Sequence, residues 1–413
     1  MSTIVVGGGA AGCLCAVLCA KGGEDVVLLE KNEKTGKKLF ITGKGRCNLT
    51  ADYPPDEFLN GVVHGGKFLR SAVYSFTPQD TKNFFENEGV ALVTERGNRV
   101  FPQSGKSSDI TRALERALKE SNVAVYLGCE VKTAVKEGDV FKVGTADGRE
   151  FFSDKLVIAT GGKSYPSTGS TGDGYRFAEK FGHTVTKPVP SLTSLFTTEN
   201  VKPLCGLSLK NVTLWATSPS GKNLDGQFGE MLFTDRGLSG PVALTLSTVL
   251  NRESGATLHL DLKPALSHEK LDARILRDFE ERKNGDLKNV TRALLPERLN
   301  LYVLSRAGLD PDKKVNSVTK EERKRLVSVV KDLTFGFAGV APFEEAVVTS
   351  GGVNLKELTP KCASRLCEGL YFVGEVTDCD AVTGGYNLQI AFSTAAAVAS
   401  DILARKDKRT QTL

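Results

Sequence analysis

The chain has 413 residues, 40% hydrophobic and 25% charged, with 54 Lys and Arg against 49 Asp and Glu. That length exceeds what one apolar core usually organises, so two or three domains are expected. The net charge of +5 is spread along the sequence and does not by itself point to nucleic acid, and no apolar run reaches the ~20 residues of a membrane-crossing helix.

Thr3, Ile4, Val5 and Val6 form a short apolar run, followed directly by Gly7, Gly8, Gly9, Ala10, Ala11 and Gly12. Small apolar residues, with Cys13, Cys15 and Cys19 among them, continue without a breaker to Gly22, and residues 25–30 repeat the buried-strand pattern. Strand, glycine turn, helix and strand is the context in which G-x-G-x-x-G marks a dinucleotide site. Gly7 makes the tight turn, Gly9 admits a pyrophosphate to the backbone, and Gly12 lets helix approach strand. Free N–H groups and the dipole at the helix start favour an anion there. Glu30 follows Gly12 by 18 residues, near the ~20 typical of an acid that binds a ribose hydroxyl. The opening lacks the basic segment of a secretion signal. Nine cysteines without framework spacing or accompanying histidines suggest reduced thiols, a cytoplasmic setting and no metal site.

Residues 42–50, including Gly43, Lys44, Gly45, Arg46, Cys47 and Asn48, are too irregular for helix or strand and suit a loop around a charged cofactor. Residues 67–120 read mainly as helix. Thr77 caps one helix with Pro78 at its first position, and Ser108 opens another with Ile110, Leu114 and Leu118 at helical spacing. Residues 122–126, 131–136, 140–145 and 149–152 alternate like the strands of a meander. Residues 155–158 form a buried parallel strand running into Thr160, Gly161 and Gly162, a second glycine-rich turn spans 169–174, and a helix follows at 175–181. Pro188, Pro190 and Ser191 mark a boundary. Beyond it the pattern is all-β, at 194–198, 208–216, 229–234 and 257–262, with a short helix starting at Gly240 and Pro241. Residues 267–340 are charged and helical. Residues 345–353 and 369–375 return to the buried-strand pattern, the second ending in Gly374 and Glu375. Gly384, Gly385, Tyr386, Asn387 and Leu388 then open an apolar helix running through Ala399.

Three glycine-rich stretches at the carboxyl edge of one sheet suit a ligand. The late strand separates FAD from a simple nicotinamide site. In flavoenzymes of the glutathione-reductase type such an acid bonds the ribityl chain, and the next helix aims its positive end at the flavin. No second G-x-G-x-x-G precedes a helix, so a nicotinamide reductant would bind without a Rossmann domain of its own. Cys362 and Cys367 lack the C-x-x-C spacing of a redox disulfide.

These stretches, with residues 161–166, 169–175, 232–241 and 383–387, resemble the BaiN/YhiN-type flavoprotein family over nearly the whole chain; Lys44 stands where that family more often has glycine. The resemblance implies an α/β fold, a split Rossmann-like (glutathione-reductase-type) FAD domain with an inserted β-barrel and a small helical domain. The parts would be residues 1–190 and 345–413 for the FAD domain, 191–266 for the barrel and 267–344 for the helices. It implies non-covalent FAD held by Gly7, Gly9, Ala10, Ala11, Gly12, Glu30, Lys31, Lys38, Gly43, Gly45, Arg46, Cys47, Asn48, Val131, Thr160, Gly161, Gly162, Gly374, Glu375, Gly384, Gly385, Tyr386, Asn387 and Leu388. Family members have been assigned to reduction of a C=C bond conjugated to a ketone in bile-acid-like steroids, and to oxidation of aminoacetone. The expected activity is NAD(P)H-linked reduction of such a C=C bond in a small or steroid-like substrate. A peroxide-producing amine oxidase and an FAD-containing RNA-binding or RNA-modifying protein are the alternatives, and neither a membrane nor nucleic acid is an expected partner. Tyr165, Tyr386, Arg46 and Cys47 are candidates for moving a proton because they lie in the glycine-rich loops. His64, His183, His259 and His268 stand in no arrangement suited to a base, and no Ser–His–Asp set is visible.

Overall fold

In the computed structural model, which describes the backbone of residues 2–410 and side chains through residue 406, Ser2–Val6 is the middle strand of a parallel sheet. Asp25–Leu29 and Lys155–Ile158 flank it; Ala124–Tyr126 pairs beyond the first and Leu370–Phe372 beyond the second. Alternate residues of these strands feed two cores. Val5, Leu28, Val157 and Tyr371 enter one, and Ile4, Leu156, Ile158 and Phe372 the other. A parallel sheet covered on both faces has no polar side, hence the unbroken apolar runs.

The helix Ala10–Lys21 buries Cys13, Cys15 and Cys19 completely. Its end meets the last helix, Tyr386–Thr410, so closely that a Cβ on Gly22 would sit 2.3 Å from Leu403 Cδ1. Within that last helix, Tyr386–Lys406 is long and apolar enough to cross a membrane, a stretch the run-length reading did not credit; 61% of its most apolar window is buried inside the protein.

Three local expectations are corrected. The segment read as helical over 67–120 contains a hairpin, Leu92–Glu95 with Arg99–Pro102, whose turn is set by Gly97 and Asn98, both in left-handed backbone (φ +77° and +54°). Of the expected meander, Ala124–Tyr126 joins the parallel sheet, leaving Val131–Glu137, Val140–Thr145 and Glu150–Ser153 as the antiparallel part. Val348–Ser350, in the run read as a returning strand, pairs antiparallel with Val189–Ser191 instead of joining the parallel sheet.

The chain divides into two compact units, Met1–Ser191 with Phe343–Leu413, and Leu192–Pro342. The second unit holds a closed barrel. Its strands run Leu195–Thr197, Gly237–Ser239, Asn223–Phe233, Ser208–Thr217, Thr257–Asp261 and Leu333–Val340, the last pairing back to the first. Leu333–Val340 lies inside the segment expected to be helical through 340. Its Leu333, Phe335 and Phe337 point into the core in strand alternation, and Gly336 makes room for Thr198, whose Oγ1 would be 2.4 Å from a Cβ there. Helices His268–Glu281, Glu297–Arg306 and Lys320–Lys331 share the barrel's apolar core through Leu271, Leu299 and Val330.

Candidate functional site

The glycine turn after the first strand is shaped by contacts that exclude side chains. Gly7 has φ +106°, and a Cβ on it would lie 2.5 Å from the Ala159 carbonyl oxygen. A Cβ on Gly12 would lie 1.9 Å from the Gly7 oxygen. Gly9 differs: a Cβ there would meet nothing within 4 Å, and no side chain caps the helix it precedes. The first N–H groups of Ala10–Lys21 therefore open onto free space, as anion binding at a helix start requires.

Glu30 is buried beside this turn. Its Oε2 accepts from Gly8 N at 2.7 Å, and its Oε1 from the backbone and side-chain nitrogens of Asn32 at 2.8 and 2.7 Å. Asn32 Nδ2 also reaches Thr168 O at 3.0 Å, tying the second glycine turn to this acid. Lys31 pairs with Asp173 at 2.8 Å and Thr171 at 2.7 Å. Burial works against the Asp173 carboxylate, yet Lys31, Thr171 and Arg176 hold it down at about 2. Val131 is buried close by, since Cys129 N donates to Glu30 O at 2.8 Å.

A second polar cluster joins four segments. Lys38 Nζ reaches Glu375 Oε2 at 2.7 Å and Ser164 Oγ at 2.6 Å. Glu375 Oε1 accepts from Ser164 Oγ at 2.7 Å and Thr349 N at 2.8 Å. Thr349 Oγ1 accepts in turn from the backbone of Lys163 and Ser164, at 2.8 and 3.1 Å. Burial would raise the Glu375 carboxyl; the Lys38 charge and the donors outweigh it and hold it below the usual range. A Cβ on Gly162 would strike Thr349 Oγ1 at 2.4 Å, and one on Gly374 would sit 3.0 Å from Ala11 Cβ. Thr349 was not visible as a site residue, because its place follows from the antiparallel pairing with Val189–Ser191.

The segment over 42–48 begins where regular helix ends. Lys37–Gly45 breaks at Thr42 (ψ 152°), and Gly43, Lys44, Gly45 and Cys47 are all left-handed. Arg46 turns to the hairpin, pairing with Glu95 at 2.5 Å and lying 4.2 Å above the Phe101 ring. Cys47 is fully buried, and burial pushes its thiol up to about 12, so it is no ready nucleophile. Gly384 and Gly385 also have positive φ, and a Cβ on Gly385 would lie 2.4 Å from the Thr50 carbonyl carbon. Tyr386 stacks on Phe58 with ring centroids 4.9 Å apart, and burial raises its hydroxyl to about 12. Asn387 fastens the preceding loop by accepting from Ala381 N at 3.0 Å and donating to Ala381 O at 2.9 Å, and Leu388 packs against the core. Tyr165 is half-buried in left-handed backbone (φ +51°), its N donating to Phe343 O at 3.0 Å.

The histidines are not bystanders of one kind. His183 is buried between Glu357 (3.1 Å) and Ser364 (2.7 Å), and burial lowers its pKa. His259 stacks on Trp215. His64 meets Asp380, a partner 316 positions away that sequence reading missed.

Two buried polar atoms in the glycine-rich segments, Asn48 Oδ1 and Thr160 Oγ1, have no hydrogen-bond partner among the described residues. Left that way they carry a desolvation penalty. An open helix start, a buried acid beside it and unsatisfied polar atoms in two of the glycine-rich segments fit a dinucleotide as long as FAD. Among the described residues no group of His, Cys, Asp and Glu could hold a metal ion.

A family model described as HI0933-like protein Rossmann domain matches residues 1–401. The chain is 32% identical to the ribosomal RNA dihydrouridine synthase of Escherichia coli (strain K12), over 98% of each chain. It is 27% identical to the 3-dehydro-bile acid delta(4,6)-reductase of Clostridium scindens, over 94% of this chain and 96% of that one. Among solved structures, 3-ketosteroid delta1-dehydrogenase from Sterolibacterium denitrificans superposes with a TM-score of 0.52 at 14% identity, covering 98% and 99% of the two chains.

Proposed function

The chain belongs to the HI0933-like family of FAD-binding Rossmann proteins, and on that premise we propose that this FAD-dependent oxidoreductase saturates a C=C bond conjugated to a carbonyl, its substrate being a uracil base in RNA. The observation that carries the reading is the chemistry shared by the names of the two curated relatives. Uracil has its C5=C6 bond conjugated to the C4 carbonyl, and dihydrouridine is the saturated product. A steroid 4,6-dien-3-one presents the same unit in a carbocycle. The RNA substrate takes precedence because the relative named for it matches at higher identity, 32% against 27%, and over slightly more of the chain, 98% against 94%.

Bound FAD supplies hydride chemistry. The chain's part is to hold and orient it. The open start of Ala10–Lys21 would hold the pyrophosphate, Glu30 the adenosine ribose, and Lys38 with Glu375 the polyol chain, and the positive end of Tyr386–Thr410 would favour negative charge on a reduced flavin. Asn48 and Thr160 offer it their unpartnered atoms. A nicotinamide nucleotide is the reductant in this reading.

The test uses purified protein with its visible flavin spectrum. NADH and NADPH are each tried as reductants anaerobically, and the bleached protein is then mixed with ribosomal RNA transcripts, a steroid enone or an amine. Re-oxidation by RNA with uridine gaining two hydrogens by mass spectrometry is expected. Re-oxidation by the steroid alone moves the substrate class, and peroxide formed from an amine in air overturns the reductase reading.

A further inference from the structure

His64 stands at the end of the short strand Val62–His64, which pairs with Asp380–Ala381. The pairing runs on into the start of the last helix. Val382 N donates to Gly61 O at 2.9 Å, and a Cβ on Gly61 would sit 2.3 Å from the Tyr386 ring. Asp380 is completely buried, so its carboxylate must be satisfied internally. It faces His64 Nδ1 and accepts from Ser350 Oγ and Ser191 Oγ, each at 3.3 Å. Ser350 adjoins Thr349, whose backbone N holds Glu375. The Asp380–His64 pair is thus tied from two sides to the segments expected around the flavin. The imidazole is 42% exposed, whereas the Asp380 side chain is 1% exposed, so the ring is anchored within and open outward.

We propose that His64, fixed by Asp380, is the general acid that protonates the substrate, an inference that rests on the reductase reading above. Saturating a conjugated C=C bond needs a hydride at the carbon β to the carbonyl and a proton at the α-carbon. The hydride is the cofactor's, its two electrons drawn from a nicotinamide nucleotide or, in vitro, from dithionite. The proton has to come from the chain. Asp380 accepts the Nδ1–H, which leaves Nε2 as the exchanging position. The Nε2–H bond of the imidazolium breaks, the former π pair forms the α-carbon–hydrogen bond, and the neutral ring recovers a proton from water. Beside this strand lie the titratable groups of Tyr386, whose ring packs on Gly61 and whose hydroxyl burial raises to about 12, and of Asp378 and Cys379, just before Asp380 on the paired segment. Cys379 Sγ would lie 2.5 Å from a Cβ on Gly65, and burial pushes its thiol well up, so it stays neutral.

Two measurements on the FAD-loaded protein test this. Nitrogen-15 NMR of its four histidines, with His64→Gln to identify the resonance, should show Nδ1 protonated throughout and Nε2 titrating. Asp380→Asn should abolish that pattern. In stopped flow, His64→Gln and His64→Asn should keep flavin content and the rate of flavin reduction. Re-oxidation by the conjugated substrate should slow by ~10²–10⁴-fold and lose its pH dependence. Wild-type re-oxidation rates and pH profile in both variants, or an unprotonated Nδ1 facing Asp380, overturn the inference alone. Failure of every conjugated alkene to re-oxidise the reduced wild type overturns the reductase reading and the inference together.

Discussion

The two ends of the same parallel strands handle buried polarity in opposite ways. At their amino ends, acidic side chains meet their donors within the protein: Lys155 Nζ lies 3.0 Å from Glu24 Oε2, Thr3 Oγ1 donates to that oxygen at 3.2 Å, and the backbone N of Ser2 donates to Asp154 Oδ2 at 2.9 Å. Glu24 Oε1 has no partner of its own, but the charge it belongs to is met by Lys155. At the carboxyl ends, glycines strip side chains away. The backbone opens at Gly9, and Thr160 Oγ1, just past Lys155–Ile158, lacks a partner, as does Asn48 Oδ1 in the glycine loop. Under the proposed function, Thr160 and Asn48 offer their loose atoms to the cofactor. The one beside Lys155 belongs to a structural seam.

The sharpest way to break this contrast is at its tightest contact. Gly12→Val should yield no folded flavoprotein, because its Cβ would be 1.9 Å from the Gly7 oxygen; soluble yield and circular dichroism check this. Glu24→Ala attacks the seam instead. It leaves Lys155, 9% exposed at its side chain, buried without that anion, so unfolding in urea should show a loss of about 3–5 kcal/mol. Flavin bound per folded molecule should not change; a loss of flavin at unchanged stability would erase the distinction between the two ends. Gly9→Val should do the reverse, keeping the unfolding midpoint while FAD affinity falls roughly tenfold or more in a fluorescence titration.

A gentler probe is acid. Glu375 has its carboxyl held below the unfolded value, so its contribution to stability is present above the unfolded pKa of about 4.3 and is lost as pH falls through the folded one. Flavin-free protein should lose stability on that acid limb, and Lys38→Met should flatten the limb. The smallest effect is expected from Tyr386→Phe, which keeps the ring on Phe58; FAD affinity should stay within about twofold.

What the sequence made legible follows the range of the physics involved. Gly7, Gly9 and Gly12 act within one turn, so their spacing with the flanking strands made legible the two places where a Cβ has no room, at Gly7 and Gly12. The barrel strand Leu333–Val340 was hidden because the charged helix Lys320–Lys331 runs straight into it and Gly336 and Gly339 dilute its alternation. Arg46 sits in a glycine loop by sequence, but its ion pair with Glu95 depends on the hairpin turn at Gly97. Thr349 and the His64–Asp380 pair depend on strand partners far along the chain, and neither segment has a local pattern that names its partner.

The placement of Leu370–Phe372 as the outer neighbour of Lys155–Ile158, and of Tyr386–Thr410 against the first helix, also sets a timetable for synthesis. A nascent chain emerging from the ribosome has made four of the five parallel strands before residue 160. It must then carry an unpaired sheet edge and an uncovered helix while all of Leu192–Pro342 is translated. Such an edge invites wrong partners, so a message stalled or cut short before Leu370 would release an aggregation-prone product, not a partly active one.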